Sequence, residues 1–319
     1  MSDFFCEIDI SDIDLTDERY KISFVEDDIT FLAQSIQQTG LVTPPVVRPL
    51  NNKFVIIAGF NKIKALIHNN EKNAIVLKTD SKSTDCHCLI KSIAAIAFQR
   101  ELTHAELISS TRRLHQFLNK DNIAKTSSAV FNQELSVRFV EDLLSIGALP
   151  KPALELIHQG NLSFKSAKRL TTLKKETIKN FLTLFSTIKT SSNKQLEIIQ
   201  YSMEIAAREG IKPENFLNSQ AIGDILLDEN NDPGLKTKML RTWLFELRFP
   251  SLFKMHKKVQ RKITSIKLGN KINFQPPQNF ESQNYSISFT AKSYSEFADN
   301  VQSLNKALKN KGLKEIFNS

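Results

Sequence analysis

Short β-favouring runs alternate with two amphipathic segments through the first eighty residues. The β-favouring runs predict strands at Glu7–Ile10, Pro45–Arg48, Phe54–Ala58 and Ala74–Lys78. Apolar residues at helical spacing predict helices over Asp28–Gln38 and Phe60–Asn69, and Gly40 follows the first of these as a stop. Asn51-Asn52 lies between two of the strands and predicts a hairpin turn. The pattern therefore indicates a small α+β module.

From Thr84 onward the periodicity is helical almost throughout. Thr103-His104-Ala105-Glu106 has the spacing of a capping box, and it begins a helix that we expect to end near Asn119. The other helices predicted in this stretch are Thr84–Arg100, Asn122–Phe131, Ser136–Ser145, Pro152–Gln159, Ser163–Leu173, Lys175–Ser186 and Asn193–Glu209. A third part begins near Lys212 and is predicted to contain helices Asp232–Leu247, Leu252–Ile266 and Ser293–Lys309 and the strand Tyr285–Phe289. The expected fold is α+β, with domains at 1–100, 101–210 and 211–319.

Composition sets the broad class of the protein. A chain of 319 residues exceeds what one small core needs, and its 41% hydrophobic and 24% charged residues exclude a wholly disordered chain. No apolar run approaches the roughly 18 residues needed to span a bilayer, and the acidic N-terminus lacks the basic start of a secretion signal. Three cysteines (Cys6, Cys86 and Cys88) fit reduced thiols. We expect a cytoplasmic protein without membrane contact.

The positive charge is unevenly distributed. Of the net charge of +9, residues 151–200 contribute 9 Lys and Arg against 3 Asp and Glu, and residues 251–319 contribute 12 against 4. Local positive blocks attract polyanions, so nucleic acid is a candidate partner. A lysine-rich solvated surface is the alternative. The same two interpretations apply to the cluster Lys254, Lys257, Lys258, Arg261 and Lys262.

A strand that runs through a glycine into a helix is the most suggestive local geometry. Gly59 follows the strand Phe54–Ala58, and Asn61, Lys62 and Lys64 lie in the first turns of the next helix. Unpaired N–H groups at a helix N-terminus bind anions, which makes this turn a candidate phosphate site. A plain strand–turn–helix with exposed lysines is the alternative.

A Gln-Arg pair ends the helix Thr84–Arg100. Gln99 is a candidate contact for a ribose, base or phosphate oxygen, and Arg100 is a candidate for a bidentate pair with a phosphate or with a nearby carboxylate. An exposed Gln-Arg without a function is the alternative.

The run Cys86-His87-Cys88 is a candidate metal site because cysteine and histidine are common metal ligands. Neighbouring residues on a helix diverge by about 100°, and the chain has no second cysteine pair to complete four ligands. We therefore predict structural cysteines and no metal site.

Leu32-Ala33-Gln34-Ser35-Ile36 and the run from Gly40 to Arg48 together have the pattern L-x-x-S-I-x-x-x-G-x-x-x-P-x-x-V. With this pattern, the first 110 residues resemble the N-terminal domain of the ParB-type partition protein family. Gly59-Phe60-Asn61-Lys62-Ile63-Lys64-Ala65 corresponds to its Gly-Glu-Arg-Arg-x-x-Ala box, and Ile96-Ala97-Phe98-Gln99-Arg100 to its Glu-Asn-x-Gln-Arg box. Further along, Leu149-Pro150 and Gly160-Asn161-Leu162-Ser163 match landmarks that follow the family's helix-turn-helix. The resemblance covers about residues 5–190, and residues 200–319 match nothing in the family.

The resemblance implies a fold and a ligand. It predicts a small ParB/sulfiredoxin-like N-terminal domain, an all-helical middle domain with a helix-turn-helix and a small α+β C-terminal domain. Family members resemble CTP-dependent DNA clamps, so CTP with magnesium is the candidate cofactor, held by Gly59, Asn61, Lys62, Lys64, Gln99 and Arg100. Ile96 replaces the glutamate that is expected to support hydrolysis, and Asn61 and Lys62 replace two arginines. We expect weak or absent nucleotide binding and no catalytic residue.

The resemblance also predicts a DNA-binding helix-turn-helix. Its helices are Asn122–Phe131 and Ser136–Ser145, with Ser136 and Arg138 as the leading base contacts. The candidate phosphate contacts are Lys165, Lys168, Arg169, Lys174 and Lys175. The connection Phe131–Leu135 is longer than the usual tight turn, and Glu141 and Asp142 would repel phosphate if they faced it.

These features predict a non-enzymatic ParB-like protein that acts in DNA partition or transcription-related nucleoid functions. The expected partners are double-stranded DNA, a second copy of the chain in a homodimer and a partition ATPase, and the expected location is cytoplasmic and nucleoid-associated. The alternatives are a CTP-dependent DNA clamp or nuclease on the same N-terminal fold, and a protein-interaction module that has lost DNA binding.

Overall fold

The computed structural model describes residues 3–24, 28–266, 268, 272–275, 284–310, 313 and 316. The chain divides into two compact units, residues 1–196 and 197–319, and each unit is described by itself. The mixed α+β class predicted from the sequence is confirmed. The division into three domains stays a prediction.

A four-stranded sheet organises the first part of unit 1. Its strands are β1 (Phe4–Asp9), β2 (Val46–Leu50), β3 (Lys53–Ala58) and β4 (Asn73–Lys78), in the order β1-β4-β2-β3. The β1–β4 and β2–β3 pairs are antiparallel, and β2–β4 is parallel. Asn51 and Asn52 both have positive φ, as the predicted hairpin turn requires. One face of the sheet buries a core that includes Ile8, Val47, Ile56, Ile63 and Val76.

Three helices pack on this sheet: α1 (Thr30–Thr39), α2 (Phe60–His68) and α3 (Asp85–Ala97). Gly59 caps α2 with φ +91°, and a Cβ at this position would lie 2.9 Å from the Cβ of Pro45. Both the positive φ and the close approach of Pro45 require glycine, because any larger residue would meet strain and a clash. The β3–Gly59–α2 turn is therefore fixed in shape.

The rest of unit 1 is helical. Its helices are α4 (His104–Leu114), α5 (Lys120–Phe131), α6 (Val137–Gly147), α7 (Lys151–His158), α8 (Phe164–Leu170), α9 (Lys175–Thr187) and α10 (Ser192–Arg208), of which α10 crosses into unit 2. The predicted end of the first of these helices near Asn119 is wrong, because α4 stops at Leu114. The side chain of Asn119 accepts the N–H of Asn122 and so begins α5 instead.

Unit 2 contains helices and a two-stranded antiparallel sheet. Its further elements are α11 (Pro213–Leu217), α12 (Gln220–Leu227), α13 (Pro233–Arg248), α14 (Pro250–Ile266), β5 (Ile272–Gln275), β6 (Ser286–Phe289) and α15 (Tyr294–Leu308). Bidentate hydrogen bonds from Arg241 to Glu197 tie α13 to α10. Strand β6 was predicted from the sequence, whereas β5 and the short helices α11 and α12 were not.

Candidate functional site

Helix α8 presents three cationic side chains to solvent. Lys165, Lys168 and Arg169 are all exposed, and their i, i+3, i+4 spacing places them on one helix face. Ser166, Ala167 and Leu170 are buried on the opposite face. The helix is therefore anchored on one side and cationic on the other.

Helix α6 packs beside α8 and joins this cationic surface. The rings of Phe139 and Phe164 lie 5.5 Å apart between centroids, and Lys168 Nζ lies 2.6 Å from Asp142 Oδ2. Arg138 stands one turn before Asp142 on α6, is exposed and forms no ion pair with any residue that the structure describes. We call the surface formed by Ser136, Arg138, Lys165, Lys168 and Arg169 the α6/α8 face.

The two acidic residues of α6 do not stand as unpaired charges. Asp142 pairs with Lys168, and Glu141 pairs with Lys120 at the start of α5. The expected repulsion of phosphate by Glu141 and Asp142 is therefore reduced, because each carboxylate is neutralised by a neighbouring lysine.

Ser136 has a structural role in the face. Its hydroxyl oxygen caps α6 by accepting the N–H of Phe139 at 3.2 Å, which leaves its O–H as a donor. The connection before it is as long as the sequence indicates, and it is held in place: the N–H of the buried Leu135 donates to Ser127 Oγ at 2.9 Å. The first turn of α6 is thus rigidly positioned.

Lys174 and Lys175 lie at the start of α9, after a short turn that follows α8. Both are exposed, and the structure gives α9 no side-chain cap. Cations at a helix N-terminus add to the positive end of the helix dipole. This local excess of positive charge suits contact with an anionic backbone.

A cleft of about 520 Å³ lies at the β3–Gly59–α2 turn. Its lining includes Gly59, Asn61, Lys62, Gln99 and Arg100, so the structure brings together five of the six residues predicted for nucleotide binding. Lys64 is exposed and does not belong to the lining. We call this space the Gly59 cleft.

All three cationic side chains in the lining of the Gly59 cleft are engaged by the protein, and the first of them, Lys21, donates from Nζ to Glu18 Oε1 at 2.5 Å. Lys62 Nζ donates to the carbonyl oxygen of Thr43 at 2.9 Å and to its hydroxyl at 2.5 Å, and burial lowers the pKa of Lys62. Arg100 donates from Nη2 to Glu106 Oε1 at 2.7 Å and from Nη1 to Oε2 at 2.8 Å. Thus each cation of the cleft already has an acceptor within the fold.

Glu106 is a fully buried carboxylate at the start of α4. Its burial acts to raise its pKa, but hydrogen bonds from Arg100 and from the N–H of Thr103 outweigh this, so the pKa of Glu106 lies below its usual value. Thr103 and Glu106 form the predicted capping box. The same carboxylate therefore serves a helix cap and an arginine pair.

Ile96 lines the Gly59 cleft where the family pattern has glutamate. None of the described residues in the lining is Asp or Glu, so this lining offers no carboxylate to orient or activate water.

The three residues of the Cys86-His87-Cys88 run lie in the first turn of α3. Cys88 is buried and Cys86 is half-buried, and burial raises the pKa of both thiols. No three His, Cys, Asp or Glu side chains among the described residues are arranged to hold a metal ion. Among all the residues that the structure describes, no helix has the length and apolar character needed to cross a membrane.

The partners of Lys62 and Lys168 were not predicted from the sequence, and for Arg100 a nearby carboxylate was predicted as one alternative without naming the residue. Thr43 holds Lys62, Glu106 holds Arg100, and Asp142 holds Lys168. Glu106 was accessible in principle, because the capping box places its carboxylate at the start of α4, six residues after Arg100. The other two partners are distant in sequence and have no local pattern.

Comparisons with known proteins agree with the N-terminal architecture. Residues 2–93 match the family model described as the ParB N-terminal domain. The chain is 28% identical over 191 residues to the probable chromosome-partitioning protein ParB of Chlamydia trachomatis, covering 56% of this chain and 64% of that protein. It is 25% identical over 227 residues to the protein of the same description from Borreliella burgdorferi, covering 70% and 83%. The chain thus spans less than two thirds of the Chlamydia relative.

Solved structures show a weaker likeness. A Pnob8-like ParB-N domain matches at 13% identity and a TM-score of 0.40, covering 81% of this chain and 97% of that one. The C-terminally truncated ParB of Caulobacter crescentus, complexed to the centromeric parS site, matches at 19% identity and a TM-score of 0.36, covering 56% and 91%. The family-model match shows that residues 2–93 carry a ParB N-terminal domain, and the curated relatives show that the chain is similar to proteins described as ParB.

Proposed function

We propose that this protein is a ParB-like DNA-binding protein of chromosome partition or related nucleoid functions, and that it binds duplex DNA with the α6/α8 face without turning over nucleotide. The observation that carries the proposal is the exposed cationic side of α8 beside the first turn of α6. Lysine and arginine on one face neutralise phosphates and release counterions, which favours binding to DNA.

The roles within the face follow from chemistry. Lys165, Lys168 and Arg169 contact phosphates, with Lys174 and Lys175 extending the contact, and these groups set affinity rather than sequence preference. Arg138, exposed in the first turn of α6, is the leading base contact because its planar fork can bind guanine in the major groove. The hydroxyl of Ser136 supplies a second polar contact beside it. Loss of DNA binding in favour of a purely protein-interacting role is the alternative.

The remaining parts of the proposal come from the family. We propose domains at 1–100, 101–210 and 211–319, a homodimer, a partition ATPase as a further partner and a nucleoid-associated location in the cytoplasm.

A change of three charges tests the DNA-binding role. Lys165→Gln, Lys168→Gln and Arg169→Gln together should weaken binding to a duplex by at least about tenfold at moderate salt, because three phosphate contacts are removed. Fluorescence anisotropy with a labelled duplex measures the affinity. A triple variant with Lys53→Gln, Lys72→Gln and Lys82→Gln has the same charge change at exposed positions elsewhere. Equal losses in the two variants would contradict the proposal.

A CTP-dependent clamp is the second candidate function. It is favoured by the Gly59 cleft, which gathers Gly59, Asn61, Lys62, Gln99 and Arg100 around one space. Thermal-shift titration with each of the four ribonucleoside triphosphates and magnesium distinguishes the candidates. A CTP-specific rise in Tm would favour the clamp, whereas no shift with any nucleotide would favour the DNA-binding protein without nucleotide turnover.

A further inference from the structure

The Gly59 cleft differs from an ordinary empty anion site because its arginine already holds an anion. Both oxygens of Glu106 accept from the two terminal nitrogens of Arg100, at 2.7 and 2.8 Å, and Nη1 also donates to the carbonyl oxygen of Glu101 at 3.0 Å. A phosphate group bound in bidentate fashion uses the same two nitrogens. A polyphosphate and Glu106 therefore compete for one group.

We propose that Glu106 is a built-in competitor for Arg100, so that a polyphosphate ligand enters the Gly59 cleft only by displacing this carboxylate. Residue 106 thereby sets the affinity of the cleft. The inference deepens the nucleotide-binding candidate and rests on the cleft being an anion site, but it does not depend on DNA binding by the α6/α8 face.

Covalent attachment favours the resident carboxylate. Only the short segment between residues 100 and 106 separates the two groups, and a group tethered by a short linker acts at an effective concentration of roughly millimolar or more. Glu106 is fully buried while the side chain of Arg100 is 42% exposed, so water screens the pair only from the arginine side. A diffusing phosphate has to overcome both advantages.

The displacement also has a cost at the start of α4. Once Arg100 leaves, the buried carboxylate keeps the hydrogen bond from the N–H of Thr103, at 2.9 Å, but loses its counter-charge. A buried charge without a partner is strongly disfavoured. Lys62 is different, because its acceptors on Thr43 are uncharged and compete less with phosphate.

The capping box supplies a matched substitution. Glutamine serves at the third position of a capping box as glutamate does, so Glu106→Gln can keep the cap while removing the charge that holds Arg100. Glu101→Gln makes the same charge change at an exposed neighbour whose contact with Arg100 is through the main chain. The pair of variants isolates the carboxylate of residue 106.

The test is isothermal titration of the full chain with inorganic triphosphate and, separately, with CTP and magnesium. We expect Glu106→Gln to bind triphosphate about tenfold more tightly than the unmodified chain, or measurably where the unmodified chain shows no binding, and Glu101→Gln to bind as the unmodified chain does. Adding Arg100→Gln to Glu106→Gln should remove the gain. Triphosphate alone reports the anion contact, and CTP reports any added contribution of the nucleoside.

Three results would overturn the inference: equal affinity of Glu106→Gln and the unmodified chain, no binding by either one, or a gain that survives the loss of Arg100. Thermal unfolding checks that each variant is folded. Should Glu106→Gln not fold, Glu106→Asp replaces it. Its shorter side chain withdraws the carboxylate from Arg100, so we expect a smaller gain in triphosphate affinity. No gain in Glu106→Asp would contradict the inference equally. Duplex binding by Glu106→Gln, measured in parallel, should be unchanged, which separates this test from that of the DNA-binding proposal.

Discussion

The α6/α8 face and the Gly59 cleft differ in how many of their cationic side chains the fold holds. On the face, Arg138 and Lys165 are exposed and form no ion pair with any described residue, whereas Lys168 pairs with Asp142 and Arg169 donates to Thr172 Oγ1. In the cleft, Lys62 is held by Thr43 and Arg100 by the buried Glu106. The number of lysines and arginines near a surface therefore does not by itself say how many of them are available to an anion, because the fold supplies acceptors for some of them.

Removing Arg100 from the Gly59 cleft should have the largest effect on stability. Arg100→Ala leaves the fully buried Glu106 without its counter-charge, and we expect the free energy of unfolding to fall by about 3 kcal/mol, the lower end for a broken buried pair because Arg100 itself is partly exposed. Urea denaturation measures the change. Lys151→Ala, at a largely exposed position with only a distant pair to Glu155, should cost less than about 1 kcal/mol. Similar losses of unfolding free energy in the two variants would contradict the conclusion that Arg100 balances the buried charge of Glu106.

The same pair predicts a pH dependence. The folded pKa of Glu106 is lowered, so the stability that it contributes is present above the unfolded value of about 4.3 and is lost as the pH falls through the folded pKa. The stability difference between the unmodified chain and Arg100→Ala should therefore shrink in acid. A difference that grows below pH 4 would contradict this sign.

Substitution of Gly59 tests the shape of the cleft. Gly59→Ala places a Cβ 2.9 Å from Pro45 Cβ at a residue with φ +91°, and should destabilise the fold by about 2 kcal/mol. Gly223→Ala, in α12, is the control: it meets no atom within 4 Å and should be stabilising by about 0.5–1 kcal/mol. Chemical denaturation of both variants gives the comparison, and a neutral Gly59→Ala would show that the turn is not constrained as described.

Arg138 tests base contact on the α6/α8 face. Once a preferred site is known from sequencing of co-purified DNA, Arg138→Ala should reduce the preference for that site over random duplex by about 1–3 kcal/mol. Competition binding with the two duplexes measures this. An equal loss on both would assign Arg138 to phosphate contact instead.

The smallest expected effect concerns the paired acid on the face. Asp142→Asn frees Lys168 and should strengthen binding to any duplex by a few-fold, with a stability change of at most about 1 kcal/mol because the pair is partly exposed. Asp12→Asn, in the N-terminal module, makes the same charge change away from the face. An equal gain in duplex affinity in both variants would show that the effect of Asp142→Asn comes from the change in net charge and not from the release of Lys168.

Local patterns predicted the parts of the fold that depend on neighbouring residues. The hairpin at Asn51-Asn52 and the capping box at Thr103 and Glu106 are both present, because turn and cap chemistry is set within a few positions. The end of α4 was missed because helical periodicity continues past Leu114, whereas the cap at Asn119 starts a new helix. β5 was missed because a four-residue strand is defined by its pairing with β6 rather than by its own sequence.

The residues of the candidate sites were predicted from the sequence, but the partners that their charged side chains have within the fold were not. The family resemblance assigned Gly59 and Gln99-Arg100, which lie in separate motifs, to one nucleotide site, and the structure gathers them around one cleft. The pairing of Lys168 with Asp142, 26 positions apart, depends on the packing of α6 against α8, which no local pattern contains. Whether a charged side chain is available to a ligand therefore depends on the tertiary structure.

The salt dependence of duplex binding tests the central claim most directly. The logarithm of the binding constant, measured against the logarithm of salt concentration, should fall with a slope set by the number of phosphates contacted. We predict that Lys165→Gln, Lys168→Gln and Arg169→Gln together make this slope shallower by about 3, and that Lys53→Gln, Lys72→Gln and Lys82→Gln leave it unchanged. An unmodified chain without salt-dependent binding, or the same slope in all three proteins, would contradict the assignment of the α6/α8 face to DNA.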